Sequence, residues 1–180
     1  MSRIAHISLM AEYNEWMNGK VYKAALSLPG EALMAERQAF FGSLFGTLNH
    51  LAVGDTLWLK RFASHPAHYP ALGPVCKLPT PTSLDQLLYS DIHSLATYRR
   101  ALDQLILSWA RSIREAELDL PLRYSNTQGV VTERNFFSLI MHFFNHQTHH
   151  RGQASTLLSQ AQVDIGVTDL LALIPDAAQS

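Results

Sequence analysis

Five prolines in sixteen positions, Pro66, Pro70, Pro74, Pro79 and Pro81, interrupt a chain that elsewhere repeats its apolar residues every three or four positions. Proline removes a backbone donor and clashes with the preceding helical turn, so this stretch cannot continue a helix. It must instead connect two helical halves. The expectation is a crossover loop over residues 65–82, long enough to pass across the end of a bundle.

Before it, residues 2–28 read as a first helix, with Leu9, Tyr13, Trp16 and Met17 on one face and Pro29-Gly30 as the stop. Residues 34–64 read as a second helix, in which Phe40, Phe41, Leu44, Leu48, Leu51, Trp58 and Phe62 keep helical spacing. After it, Thr82 or Ser83 can cap a third helix running to about residue 117, with Leu87, Leu88, Ile92 and Trp109 along its inner side. Residues 118–131 read as a loop with a short hairpin around Asn126 and Gly129. Thr132 then offers a cap for a fourth helix over residues 133–160, and a short turn around residues 169–174 closes the chain. The fold class that follows is all-α, a four-helix bundle with a proline-rich crossover between the second and third helices. At 180 residues the expectation is a single domain spanning 1–180.

Composition narrows the function. Fourteen basic and fifteen acidic residues give a net charge of −1, and no basic run is present, which argues against a nucleic-acid partner. The lone Cys76 precludes an intrachain disulfide framework and fits a reducing compartment. No apolar stretch reaches membrane-spanning length, and the first residues lack an export-type apolar core, so the expected location is the cytoplasm without membrane association.

Four of the nine histidines fall between positions 142 and 150. His146 and His150 lie one helical turn apart, about 5–6 Å between Cβ atoms, and can aim their ring nitrogens at one ion. His142 and His149 point to neighbouring directions. On the second helix, His50 sits at the margin of the apolar stripe, positioned to meet a neighbouring helix. Gly46, Gly54, Ser43 and Thr47 leave that flank nearly bare, which fits either close helix packing or room for an ion. Three neutral imidazoles on a divalent ion leave a fourth position open, the arrangement of catalytic rather than structural sites. The competing reading is histidines that cap a core or lie on a solvated face. Asp55 falls inside the apolar stripe and needs a partner there. That partner is either a metal-bound histidine or, as the commoner arrangement, an arginine such as Arg61 or one on another helix.

The run Asn145-His146-Gln147-Thr148-His149-His150-Arg151-Gly152-Gln153 resembles the signature of the DinB (damage-inducible) family, which is distinct from the DNA polymerase of similar name. Tyr13 to Asn18, Phe41 to His50, Asp55 and Trp58 extend the resemblance over nearly the whole chain. It implies an up-down-down-up connection of the bundle, frequent homodimers, and a site for zinc, nickel or another divalent metal. Carried onto this sequence, the ligands are His50, His146 and His150, with His142 and His149 outside the set. Relatives in the wider superfamily include thiol-dependent transferases and isomerases, so the implied activity is that of a metal-dependent thiol S-transferase or a hydrolase acting on a small molecule. A low-molecular-weight thiol would be the co-substrate. The alternative is a non-catalytic metal-binding protein of stress response or interaction.

Overall fold

A computed structural model describes residues 1–176. Among them are six α-helices: α1 (Arg3–Leu26), α2 (Gly30–Met34), α3 (Leu44–Ala63), α4 (Gly73–Cys76), α5 (Ile92–Ser112) and α6 (Phe136–Gln160). Two strands, β1 (Pro121–Ser125) and β2 (Val131–Asn135), form an antiparallel hairpin that pairs Leu122 with Arg134 and Tyr124 with Thr132. The hairpin stands where the turn formers Asn126 and Gly129 place it, and Gly129 has the positive φ that its turn requires.

The four long helices pack as a bundle in which α1 and α3 each contact both α5 and α6. Contacts fix their directions. Arg3 meets Glu115 and Asp119 beyond the end of α5, while Asn14 and Asn18 meet Asp103, so α1 and α5 run antiparallel. Thr56 meets Tyr98 and Phe62 stacks on Trp109, so α3 and α5 run parallel. His50 faces His150 and Phe62 faces Phe136, so α3 and α6 are antiparallel.

Three of the expected helices require corrected boundaries. The second long helix begins at Leu44 rather than near residue 34, because Gln38 and Gly42 take positive φ and break the turn. Ser43 then caps α3 by accepting from the Gly46 amide at 3.0 Å, and Phe40 and Phe41, despite helical spacing, lie in the preceding loop. The third long helix starts at Ile92 and ends at Ser112. Asp91 is its cap, accepting from Ser94 N at 2.9 Å, whereas Thr82 uses its amide to reach Gln86 Oε1. Leu87 is therefore exposed instead of lying on an inner helical face. In the fourth long helix Asn135, not Thr132, is the cap, since Asn135 Oδ1 accepts from the Ser138 amide at 2.9 Å while Thr132 lies inside β2. The proline-rich crossover also carries short helical turns, Pro70–Leu72 and α4, which bury Leu72 and Val75.

Packing along the bundle is layered. At one end Phe62, Trp109, Phe136 and Phe143 form an aromatic cluster, with Phe62 and Trp109 stacked at 4.8 Å. In the middle lies a buried polar layer. Asp55 Oδ2 accepts from Arg99 on α5 and from Gln147 Nε2 on α6 at 2.9 Å. Arg99 reaches on to Asp103 at 2.9 Å, which also accepts from Asn14 and Asn18 on α1. Arg151 donates to Asn14 from the other side. One connected set of charges and amides thus touches all four long helices. Desolvation pushes the Asp103 carboxyl up to about 6 against the pull of Arg99 and Asn18.

The side chains of Asp55 and Arg99 are each only 1% exposed, so removing one leaves the other charged and unpaired. Replacing Arg99 with Met, followed by chemical denaturation, is expected to cost about 3–5 kcal/mol. A loss below about 1 kcal/mol, the range of surface ion pairs, contradicts the central role given to this pair.

Candidate metal centre

α3 and α6 bring the three histidines together where their antiparallel faces meet. His50 Nε2 lies 3.3 Å from His146 Nε2 and 3.2 Å from His150 Nε2, and the three ligand atoms all fall within 4.8 Å of one another. His50 is buried, and His146 and His150 are half-buried.

Partners at the far side of two rings decide which nitrogen carries the proton. His50 Nδ1 is 2.8 Å from the Leu84 carbonyl, which can only accept, so Nδ1 donates and Nε2 of the neutral ring presents a lone pair. His150 Nδ1 likewise donates to Gln153 Oε1 at 2.8 Å. Two bare nitrogens therefore face each other at 3.2 Å, an arrangement that repels unless a cation lies between them. For metal–nitrogen bonds of about 2.0–2.1 Å, a tetrahedral ion separates its ligand atoms by about 3.3–3.4 Å. The residues present fit a divalent metal ion, both in spacing and in the protonation imposed by their partners.

Burial keeps the rings in the neutral form that metal binding needs. Desolvation lowers His50, His150 and His146 alike, and the neighbouring imidazoles push the same way on His146, which falls to about 3. His146 Nδ1 is buried and finds no hydrogen-bond partner among the described residues.

The two glycines of the bare flank are filled by the site itself. A Cβ at Gly54 would stand 2.9 Å from His146 Cε1, and one at Gly46 would stand 2.2 Å from the Phe41 carbonyl oxygen. Close packing thus accounts for both, and at Gly54 what packs is a candidate ligand. Phe41 stacks on His50 with ring centres 3.8 Å apart and turns an edge toward His150. His142 and His149 stay outside the trio: His142 packs against the Trp58 ring, and His149 is exposed beside Gln153. Asp55 binds Arg99 and Gln147 rather than a histidine, the structural one of its two expected roles. Arg61 instead lies over the rings of Trp58 and Tyr124.

Sequence reasoning missed the residues that orient the ligands. Gln153 could have been found, three positions after His150 on one helical face. The Leu84 carbonyl and the Phe41 ring could not, because both come from irregular segments. Asn49, next to His50, holds the first of these segments in place by accepting from the amides of Leu88 and Tyr89.

The DinB family model matches residues 1–177. The chain belongs to the DinB family. It is 27% identical over 158 residues to Protein DinB of Bacillus subtilis (strain 168), covering 88% of this chain and 87% of that relative. No solved structure matches significantly. Among the described residues of this DinB-family chain, no helix is long and apolar enough to cross a membrane.

Gly54→Ala should push His146 out of line while leaving the core intact. A metal titration is expected to show affinity weakened by about tenfold or more, as for other changes that misorient a ligand, with an unfolding midpoint close to the parent's. Unchanged affinity contradicts the tight fit. The lowered histidines also give the metal-free protein an acid dependence. Below the ordinary histidine value of 6.5 the unfolded chain takes up a proton that folded His146 refuses until about 3, so stability falls as pH drops through this window. Between pH 7 and 5 the parent should lose stability more steeply than His146→Gln; equal slopes refute the assignment.

Proposed function

We propose that this DinB-family protein is a metal-dependent enzyme of thiol S-transfer, with His50, His146 and His150 as its metal ligands and zinc or nickel as the ion. The observation that carries this reading is the convergence of two Nε2 lone pairs at 3.2 Å, with His146 beside them, in a set that supplies only three donors. A divalent ion bound there supplies Lewis acidity, which holds a thiol as thiolate or activates water, the hydrolase variant of the same chemistry. The chain's own part is to hold that position. Leu84 and Gln153 keep the Nδ1 protons of His50 and His150 turned away from the centre, and Phe41 covers one face of His50 and restricts water there. Three imidazoles carry no negative charge, which favours an anionic ligand such as a thiolate in the fourth position. The pairwise helix directions support the family's up-down-down-up connection. A homodimer, a cytoplasmic location and a small-molecule substrate complete the proposal.

One observation favours a second reading, a non-catalytic metal-binding protein of stress response or interaction. Asp55, the carboxylate on α3 nearest His50 in the chain, is held by Arg99 and Gln147 and cannot serve as an acid or base at the centre.

Elemental analysis and cobalt substitution separate the two. The purified protein is expected to hold about one divalent ion per chain, and His150→Ala to lose it while staying helical. Added low-molecular-weight thiol should then produce sulfur-to-cobalt charge-transfer absorption in the parent. Absence of stoichiometric metal rejects both readings, and bound cobalt that fails to respond to any thiol or to exchange its water leaves the non-catalytic one.

A further inference from the structure

Beside the histidine trio, between the C-terminal half of α3, the crossover and the hairpin, lies a cavity of about 400 Å³. Its wall carries Lys60 and Arg61 together with hydroxyl and amide side chains, among them Ser64, Ser83 and Thr127, and no acidic residue. Such a concentration of positive charge stands out in a chain whose net charge is −1.

The two cations are used differently. Lys60 Nζ donates to the Leu78 carbonyl at 2.6 Å and the Cys76 carbonyl at 3.3 Å, tying the crossover to α3. Arg61 is half-buried, its guanidinium 4.6 Å from the centre of the Trp58 ring and 5.1 Å from that of Tyr124, yet no carboxylate among the described residues pairs with it. Burial accordingly lowers Arg61. The two fully buried arginines have polar partners: Arg99 has Asp55 and Asp103, and Arg151 has Asn14. A half-buried guanidinium with stacked faces and unused donors is the usual receptor for a carboxylate or phosphate, either of which it can bind through two parallel hydrogen bonds.

The cavity adjoins the metal centre. Leu84 lines it while its carbonyl holds His50, and from Arg61 the contacts run through Trp58 to His142, one turn before His146. We propose that this cavity is a subsite for the oxyanion, carboxylate or phosphate, of a small acidic molecule held by Arg61, and that this molecule is a substrate of the neighbouring histidine centre. The identification as substrate rests on the metal-enzyme reading; the oxyanion site stands on the cavity's own charge and lining.

Titration of the metal-free protein with succinate, inorganic phosphate and, as a neutral control, succinamide, followed by amide NMR, tests it. Succinate or phosphate is expected to bind saturably with shifts in residues 60–64, 80–84 and 124–127, and the tighter of the two names the source of the oxyanion. Arg61→Gln should weaken binding by about tenfold or more and Arg61→Lys by less, reflecting the lost two-point contact. No saturable binding of either anion, equal binding of succinamide, or unchanged affinity in Arg61→Gln overturns the proposal. The comparison of succinate with succinamide in the parent decides even where a variant fails to fold. Repeating the titration after adding zinc keeps the two ideas apart: anion binding in a protein that takes up no zinc preserves the subsite and removes only the claim that its occupant is a substrate.

Discussion

Asp55 is the residue on which the arrangement of helices turns. A carboxylate without access to water must be neutralised where it lies, and here Arg99 from α5 and Gln147 from α6 meet on the same oxygen. Those two bonds set the register of two helices against α3. Gln147 follows His146 and precedes His150 by three positions, and Asp55 follows His50 by five. Locking Gln147 to Asp55 therefore presents His146 and His150 to His50. A one-turn slip of α6 would separate the rings and leave the Asp55–Arg99 pair short of a partner, so the polar layer that specifies the bundle also specifies the site.

The histidines are held in a second way, by what lies behind them. The Leu84 carbonyl belongs to a segment without regular structure, and its position depends on Asn49, which accepts from the amides of Leu88 and Tyr89. The irregular chain between α4 and α5 is thus part of the centre: through Leu84 it supplies the group that assigns the proton on His50, and through residues 80–84 one wall of the adjoining cavity. That explains why a stretch too rich in proline for long helices is nevertheless pinned to α3 by Lys60.

The bundle, its four long helices and the trio were legible because each rests on periodicity or on residue type. Helical spacing revealed the apolar faces, and the resemblance to the DinB family singled out His50 as the third member. What stayed hidden was set by backbone conformation and tertiary partners. Phe40 and Phe41 fit a helical pattern, but the positive φ of Gln38 and Gly42 turned them into a loop whose Phe41 ring covers His50. Leu87 and Leu88 fit the third helix equally well, and only the capping by Asp91 excluded them. Asp55 was visible as an anomaly, yet its partner Arg99, also buried, looked like any surface residue of an amphipathic helix.

Charge connects the centre to its neighbour. The three candidate ligands are neutral, Asp55 and Asp103 are held by Arg99, and the cavity beside them is lined by two cations and no acid. The charged side chains that line this cavity are therefore all positive, and a divalent ion at the histidines would add to them. A molecule carrying one anionic group for Arg61 and a second ionisable group, such as a thiol, at the histidines would satisfy both positions at once. A neutral molecule of the same shape would leave both unsatisfied. Selection by charge at two points, with Leu84 common to both, requires no movement of the helices and no further polar group in the core.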